Sequence, residues 1–267
     1  MKRVFVTCIM VLFLALVLTP VANAGPVLDR ILKTGKLKVG TVAGQPPLNM
    51  KNKKGEIIGL EAELADLIAA NMGVKIEYVI LPFDELLPAL TSGKVDMVLS
   101  SMAMTPKRNL EVAFIGPYYV SGKGILTKYE NLAELQDPND LNNPNFKVAA
   151  LKNSTSQQFI KRAAPKAKLL ATKDYDEAVS LLVEGNIDAV IADYPFCAFS
   201  AFRNKSKGLI AGRAPLTFEP LGIAVGEDPL LINWLQNFLG VLDGTGQMQV
   251  MQMRWFQGGK WLEDLPQ

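Results

Sequence analysis

Two stretches of the chain follow the same grammar, and they constrain its fold more than any other feature. "LTSGKVDMVLSS", from Leu90 to Ser101, aligns without gaps to "LVEGNIDAVIAD", from Leu182 to Asp193. In each, a helical tail stops at a glycine (Gly93, Gly185) and an aspartate (Asp96, Asp188) follows a turn. An apolar strand then runs out to a polar residue, Ser101 in the first case and Asp193 in the second. Helix, glycine and strand in that order are common to all α/β chains. Taken alone, the echo leaves one large domain or two lobes open. Two lobes of one build would each present a polar residue at the carboxyl end of an equivalent strand, where open α/β sheets bind their ligands.

The rest of the pattern fits two lobes. "LKVGTV" from Leu37 reads as a strand. Glu61 to Met72 reads as a helix with Leu64, Leu67, Ile68 and Met72 on one face and Gly73 as its stop. "KIEYVIL" is a second strand, Asp84 is expected to cap a helix through Leu90, and "VDMVLS" is a third strand. Strands alternating with helices predict a mainly parallel sheet covered on both faces. The Asn-, Asp- and Pro-rich segment from Asn131 to Asn145 predicts surface turns. "FKVAAL" then opens a second sheet and "NSTSQQF" starts a helix. "LGIAVG" and Leu230 to Leu242 predict a last strand and a long helix that return to the first lobe. Crossings near Val120 to Ile125 and Thr217 to Leu221 would form a hinge. The expected division is 1–24 as a leader, 25–121 with 219–267 as one lobe, and 122–218 as the other.

Composition narrows the function. Lys2 and Arg3, an apolar run from Val4 to Leu18, and Ala22-Asn23-Ala24 form the three regions of a cleaved secretory signal peptide. The run is shorter than the roughly 20 residues needed to span a bilayer. Removing Lys2 and Arg3 from 28 basic residues leaves 26, equal to the 26 acidic ones. A neutral surface argues against nucleic acid as a partner. Cys197 is the one cysteine after the leader, so no internal disulfide is expected. The chain has no histidine, which removes the usual general base and the commonest transition-metal ligand. It also has no glycine-rich phosphate loop, zinc-protease motif or calcium loop, so neither cofactor nor metal is expected. Binding is a better expectation than catalysis.

Several segments resemble the periplasmic solute-binding proteins of polar-amino-acid ABC importers. They are "GLEAELA" from Gly59, "PALTSGKVDM" from Pro88, "MTPKR" from Met104, "FIGPYY" from Phe114 and "IDAVIAD" from Ile187, in order along nearly the whole chain. The resemblance implies a two-lobed type II periplasmic-binding fold, an amino acid held by hinge closure, a monomer, and an inner-membrane permease as partner. Carried onto this sequence, Arg108 matches the arginine that grips the ligand carboxylate, and its planar fork suits that group. Thr105 and Pro106 are expected to start a helix whose N-terminus points at the same place. Asp193 matches the acceptor of the α-ammonium. Ser101, Ser154 and Thr155 match hydroxyl and amide donors to the carboxylate, and Phe83 an aromatic that packs on the ligand side chain. Ser154-x-x-Gln157 is also a plain capping-box pattern.

Three positions depart from the family pattern. Ala103 stands where a carboxylate-binding hydroxyl is usual. Asn153 replaces a common glycine. Near Gln45, the stretch "GTVAGQPPL" has Val42 where relatives for basic amino acids hold an acid, so a neutral amino acid or related acid is expected. A second possibility is an enzyme, because "LDRILKTGKLKVGT" is similar to the start of secreted cyclohexadienyl dehydratases. Asp193, Glu61 and Lys123 are the ionisable groups that could serve such chemistry.

Overall fold

The computed structural model describes residues 25–135 and 137–266. The expected leader, 1–24, lies outside the described residues. The chain begins with α1 (Pro26–Thr34), β1 (Lys36–Thr41), β2 (Gly44–Gln45), β3 (Asn49–Lys51), β4 (Ile57–Ile58), α2 (Leu60–Met72), β5 (Lys75–Ile80), α3 (Leu86–Thr91), β6 (Met97–Val98) and β7 (Ala113–Ser121). It continues with β8 (Lys123–Thr127), α4 (Glu130–Ala133), β9 (Lys147–Leu151), α5 (Thr155–Ala163), β10 (Lys168–Thr172), α6 (Tyr175–Val183), β11 (Ala189–Asp193), α7 (Tyr194–Arg203) and β12 (Ile210–Ala211). It ends with β13 (Glu219–Val225), α8 (Pro229–Gly244) and α9 (Gln247–Phe256).

Two five-stranded sheets result, in the orders β5-β1-β6-β13-β7 and β10-β9-β11-β8-β12. Within each, the fourth strand runs against its neighbours: β13 is antiparallel to β6 and β7, and β8 to β11 and β12. The sheets therefore share one plan, and β6 and β11, the two echo strands, sit third in each. The echo extends to hydrogen bonds. Asp96 Oδ2 accepts from Lys38 N at 2.9 Å, and Asp188 Oδ2 accepts from Lys147 N at 2.8 Å. Each aspartate thus ties its strand to the start of the neighbouring one. Gly93 and Gly185 both adopt the left-handed conformation, at φ +73° and +76°, which other residues reach only at a cost.

Core side chains follow the expected faces. Leu37, Val39, Leu64, Ile68, Ile223 and Leu235 form one cluster, and Ile125, Val148, Ile160 and Ile191 another. A third cluster runs from one sheet to the other, joining Leu86, Val98 and Met102 to Leu151, Leu182 and Phe196. The crossings lie between β7 and β8 and ahead of β13, and they bond to each other. Lys123 N donates to Thr217 Oγ1 at 2.9 Å, and Leu216 N to Lys123 O at 2.7 Å. A Cβ on Gly122 would stand 2.0 Å from Thr217 O, so the approach requires glycine there.

Some local expectations are corrected. Asp84 caps no helix; it lies in a 3-10 turn, Phe83–Glu85, ahead of α3, and bonds Lys152 at 2.8 Å. Thr105 and Pro106 start no α-helix. Thr105 Oγ1 accepts from Arg108 N at 3.3 Å, and only a 3-10 turn, Arg108–Leu110, forms. Leu110 is exposed, so no apolar stripe holds a helix down there. The second sheet also begins earlier than expected, at β8 rather than β9.

Candidate functional site

Four charged side chains meet where the crossings join the two sheets. Lys123 opens β8, in a strand otherwise buried and apolar, and is 2% exposed. Its Nζ lies 2.8 Å from Asp193 Oδ1 and 2.7 Å from Glu219 Oε2. Asp193 ends β11, the second-sheet echo strand, and Glu219 opens β13. Burial pulls the Lys123 ammonium down, but Asp193 and Glu219, through charge and hydrogen bonds, more than offset it, so its pKa stands above that of an ordinary lysine. Arg108 is the fourth charge. Burial lowers its pKa, opposed by Glu219 and then Asp193. Two positive and two negative groups make this cluster neutral.

Arg108 is held on the first sheet's side. Its Nη1 donates to Ala103 O at 2.9 Å, and its guanidinium stands 5.5 Å from the centre of the Phe83 ring. Ala103 is buried and bridges to Leu221. Its backbone carbonyl aims the arginine, so this position serves the site without a hydroxyl. Among the described residues Arg108 makes no ion pair with Glu111, the surface partner nearest in sequence.

The predicted hydroxyls have protein partners. Ser101, at φ +51°, gives its N–H to Glu61 Oε1 at 2.7 Å and its hydroxyl to the same atom at 3.3 Å. Glu61 also accepts from the Tyr118 hydroxyl at 2.5 Å and from Asn49 Nδ2 at 2.6 Å. Burial raises its pKa, and these hydrogen bonds hold the rise in check. Ser154 is the cap of α5: its oxygen accepts from Gln157 N at 3.1 Å and its hydroxyl donates to Leu151 O at 2.6 Å. Gln157 Oε1 in turn accepts from Asn153 N at 2.9 Å, one residue before the cap, while Ser154 N donates to Leu151 O at 3.2 Å, so the capping box is only half formed. Thr155 donates its hydroxyl to Glu219 Oε2 at 2.9 Å, linking α5 to the charge cluster.

Arg108, Asp193 and Thr155 are therefore brought together, with Phe83 beside Arg108. Ser101 stands one layer back with Glu61, and Gln45 lies apart. Gln45 is 2% exposed, with its side chain bonded to the Tyr175 hydroxyl. Sequence reasoning missed Glu219 and the structural use of Glu61 and Lys123. The available signal was a lysine and a glutamate, each opening an otherwise apolar strand, in "SGKGILT" and "FEPLGIAV". Cys197 is fully buried, and burial pushes its thiol up to about 12, so it is unreactive at neutral pH.

Residues 37–258 match the profile of the bacterial extracellular solute-binding proteins, family 3. The chain belongs to that family. A "Probable histidine-binding protein" of Campylobacter jejuni is 35% identical to this family 3 solute-binding protein over 196 residues, which is 72% of this chain and 74% of the relative. A lysine-complexed "putative binding component of ABC transporter" from Wolinella succinogenes superposes with a TM-score of 0.81 at 35% identity, over 86% of this chain and 99% of the other. The ancestral amino acid-binding protein AncCDT-1, described as a precursor of cyclohexadienyl dehydratase, gives 0.78 at 37% identity, again over 86% and 99%. These likenesses establish the two-lobed periplasmic-binding fold. A cyclohexadienyl dehydratase of Pseudomonas aeruginosa is 20% identical over 230 residues, 86% of each chain. The family 3 solute-binding protein thus has both binding proteins and an enzyme among its relatives.

Proposed function

We propose that the protein binds an uncharged amino acid as a zwitterion between its lobes and passes it to the permease of an ABC importer. The working division is residues 25–121 with 219–267 as one lobe and 122–218 as the other, closing about the paired crossings. The observation that carries this reading is the neutral cluster of Arg108, Lys123, Asp193 and Glu219. Lys123 faces two carboxylates, so one negative charge is left over to attract an ammonium, and Arg108 supplies a fork for a carboxylate. A molecule bearing both groups satisfies both halves and leaves the site neutral, whereas a net-charged one leaves a buried charge without a partner. The leader expected at 1–24 and the family's extracellular setting favour the periplasm as its location.

Calorimetry with a panel of amino acids tests this. One of them is expected to bind tightly. Arg108→Ala should then weaken binding by at least about 100-fold, since about 3 kcal/mol is common when one partner of a buried charge pair is lost. Wild-type affinity in that variant would remove Arg108 from the site. The relationship to a dehydratase motivates a second reading, in which a buried carboxyl acts as an acid. Glu61 has a raised pKa but is enclosed by protein donors, and Asp193 is held by Lys123. Incubation with prephenate and arogenate, followed by product analysis, decides the matter: any catalysed turnover favours the enzyme.

A further inference from the structure

After α9 the chain leaves the first lobe and seats on the second. Residues 257–266 follow α9, which packs on α2 and α8 of the first lobe. The turn out of α9 is tight, since a Cβ on Gly258 would stand 2.4 Å from Arg254 O. A 3-10 turn, Lys260–Asp264, follows. Each lobe holds this segment twice. On the first lobe, Lys53 N donates to Asp264 O at 2.8 Å. There too the Trp261 ring lies 5.7 Å from that of Trp255, whose indole N–H donates to Glu63 Oε2 at 2.7 Å. On the second lobe, Trp261 stacks on Phe199 of α7 with centroids 5.6 Å apart. Arg203 Nη2, also on α7, donates to Pro266 O at 2.6 Å. Trp261 is thus clasped between a ring of each lobe, and the lobes cannot part with both ring contacts intact.

Leu265 and Pro266 also form one wall of a cavity of about 700 Å³, opposite Met50 of β3 and Phe196 and Phe199 of α7. That cavity shares Ala43, Gly44, Lys51 and Asp176 with the space beside Phe83. The segment therefore flanks the space between the lobes. Among the described residues the Trp261 indole N–H is buried without a hydrogen-bond partner, a cost that release into water repays. We propose that residues 257–266 are a strap that biases the two lobes towards each other, with Trp261 as its clasp. Because the segment is continuous with α9, it stays with the first lobe when the lobes part. The contacts that open are then Trp261 with Phe199 and Pro266 with Arg203. A ring pair of this kind moves an equilibrium by about 2- to 10-fold beyond the area it buries. The inference rests on the two-lobed fold and is independent of which ligand is bound.

The test is small-angle X-ray scattering of the whole protein, refolded from urea to strip bound solute and measured without added ligand. Trp261→Ala and Phe199→Leu are expected to have a larger radius of gyration than wild type, and Arg203→Gln a smaller increase of the same sign. The double variant Phe199→Leu with Arg203→Gln loses both holds on the second lobe and should be the most extended. Trp261→Phe keeps a ring and drops the unpaired N–H, so it should stay as compact as wild type. Circular dichroism and thermal melting check that each variant is folded. The Arg203 side chain is exposed, so Arg203→Gln decides the matter even where a ring variant does not fold. Equal radii for wild type and the folded variants overturn the strap. A lowered melting temperature with an unchanged radius also overturns it, because it marks a tail that only braces the fold.

Discussion

At the scale of single residues, the decisive fact is that charge is placed where water is scarce. Lys123 neutralises one of two carboxylates that its own burial would otherwise leave facing each other. Lys123→Met should therefore destabilise the protein by about 3–5 kcal/mol, the usual cost of removing one partner from a buried ion pair. Urea midpoints measure this, and a loss near zero would mean the carboxylates are solvated after all. Glu61 permits a pH test. Burial raises its pKa above the ordinary 4.5, so the native state keeps the proton to higher pH than the unfolded chain does. Its contribution to stability is complete below about pH 4.5 and is lost as pH rises through the raised native value. Wild type should thus lose stability relative to Glu61→Gln between acid and neutral pH; parallel urea profiles would refute the assignment. Arg108 and Asp193 were legible in the sequence because each ends a recognisable motif. Glu219 was not, because its partners lie far away along the chain and only the fold brings them together.

At the scale of elements, the sequence carried the order of strands and helices well and the short turns poorly. α2 starts within one residue of its expected position, because apolar periodicity and Gly73 mark both of its ends. The Thr-Pro start at 105–106 misled, because a cap signal specifies where a helix can begin but not whether the residues after it have an apolar face to bury; Leu110 is exposed. α5 shows the opposite case, a cap serine that does start its helix, although Gln157 bonds the residue before the cap. Ser154→Ala should cost about 1 kcal/mol, as loss of an N-cap hydroxyl typically does, and thermal melting will show it. Gly122→Ala should cost more, since the added methyl meets backbone rather than a movable side chain. If Gly122→Ala melts with wild type, the two crossings do not lie as close as the structure places them.

For the whole molecule, the repeated plan of the two sheets and the places of the two crossings were legible, but the reversed direction of the fourth strands was not. The reversed fourth strand of each sheet comes from the far side of a crossing, a long-range pairing that no local pattern encodes. Lys152 and Asp84 bridge the lobes near the surface at 2.8 Å. Asp84→Asn should weaken ligand binding by less than about tenfold, as for other exposed ion pairs. The effect should fade in 1 M salt, where screening acts over about 3 Å, and titrations at two ionic strengths measure it.

The bond between the crossings has a mechanical meaning. Tied side by side through Lys123 and Thr217, they form a short ribbon that bends about one line more easily than it twists. Groups on that line scarcely travel when the lobes part, whereas groups far from it travel most. Were the lobes to part about that line, Lys123, which lies on it, would be the pivot and keep its place beside Asp193 and Glu219. The Asp84–Lys152 bridge joins the lobes away from that line. In such an arrangement the ligand gains leverage in proportion to its distance from the pivot.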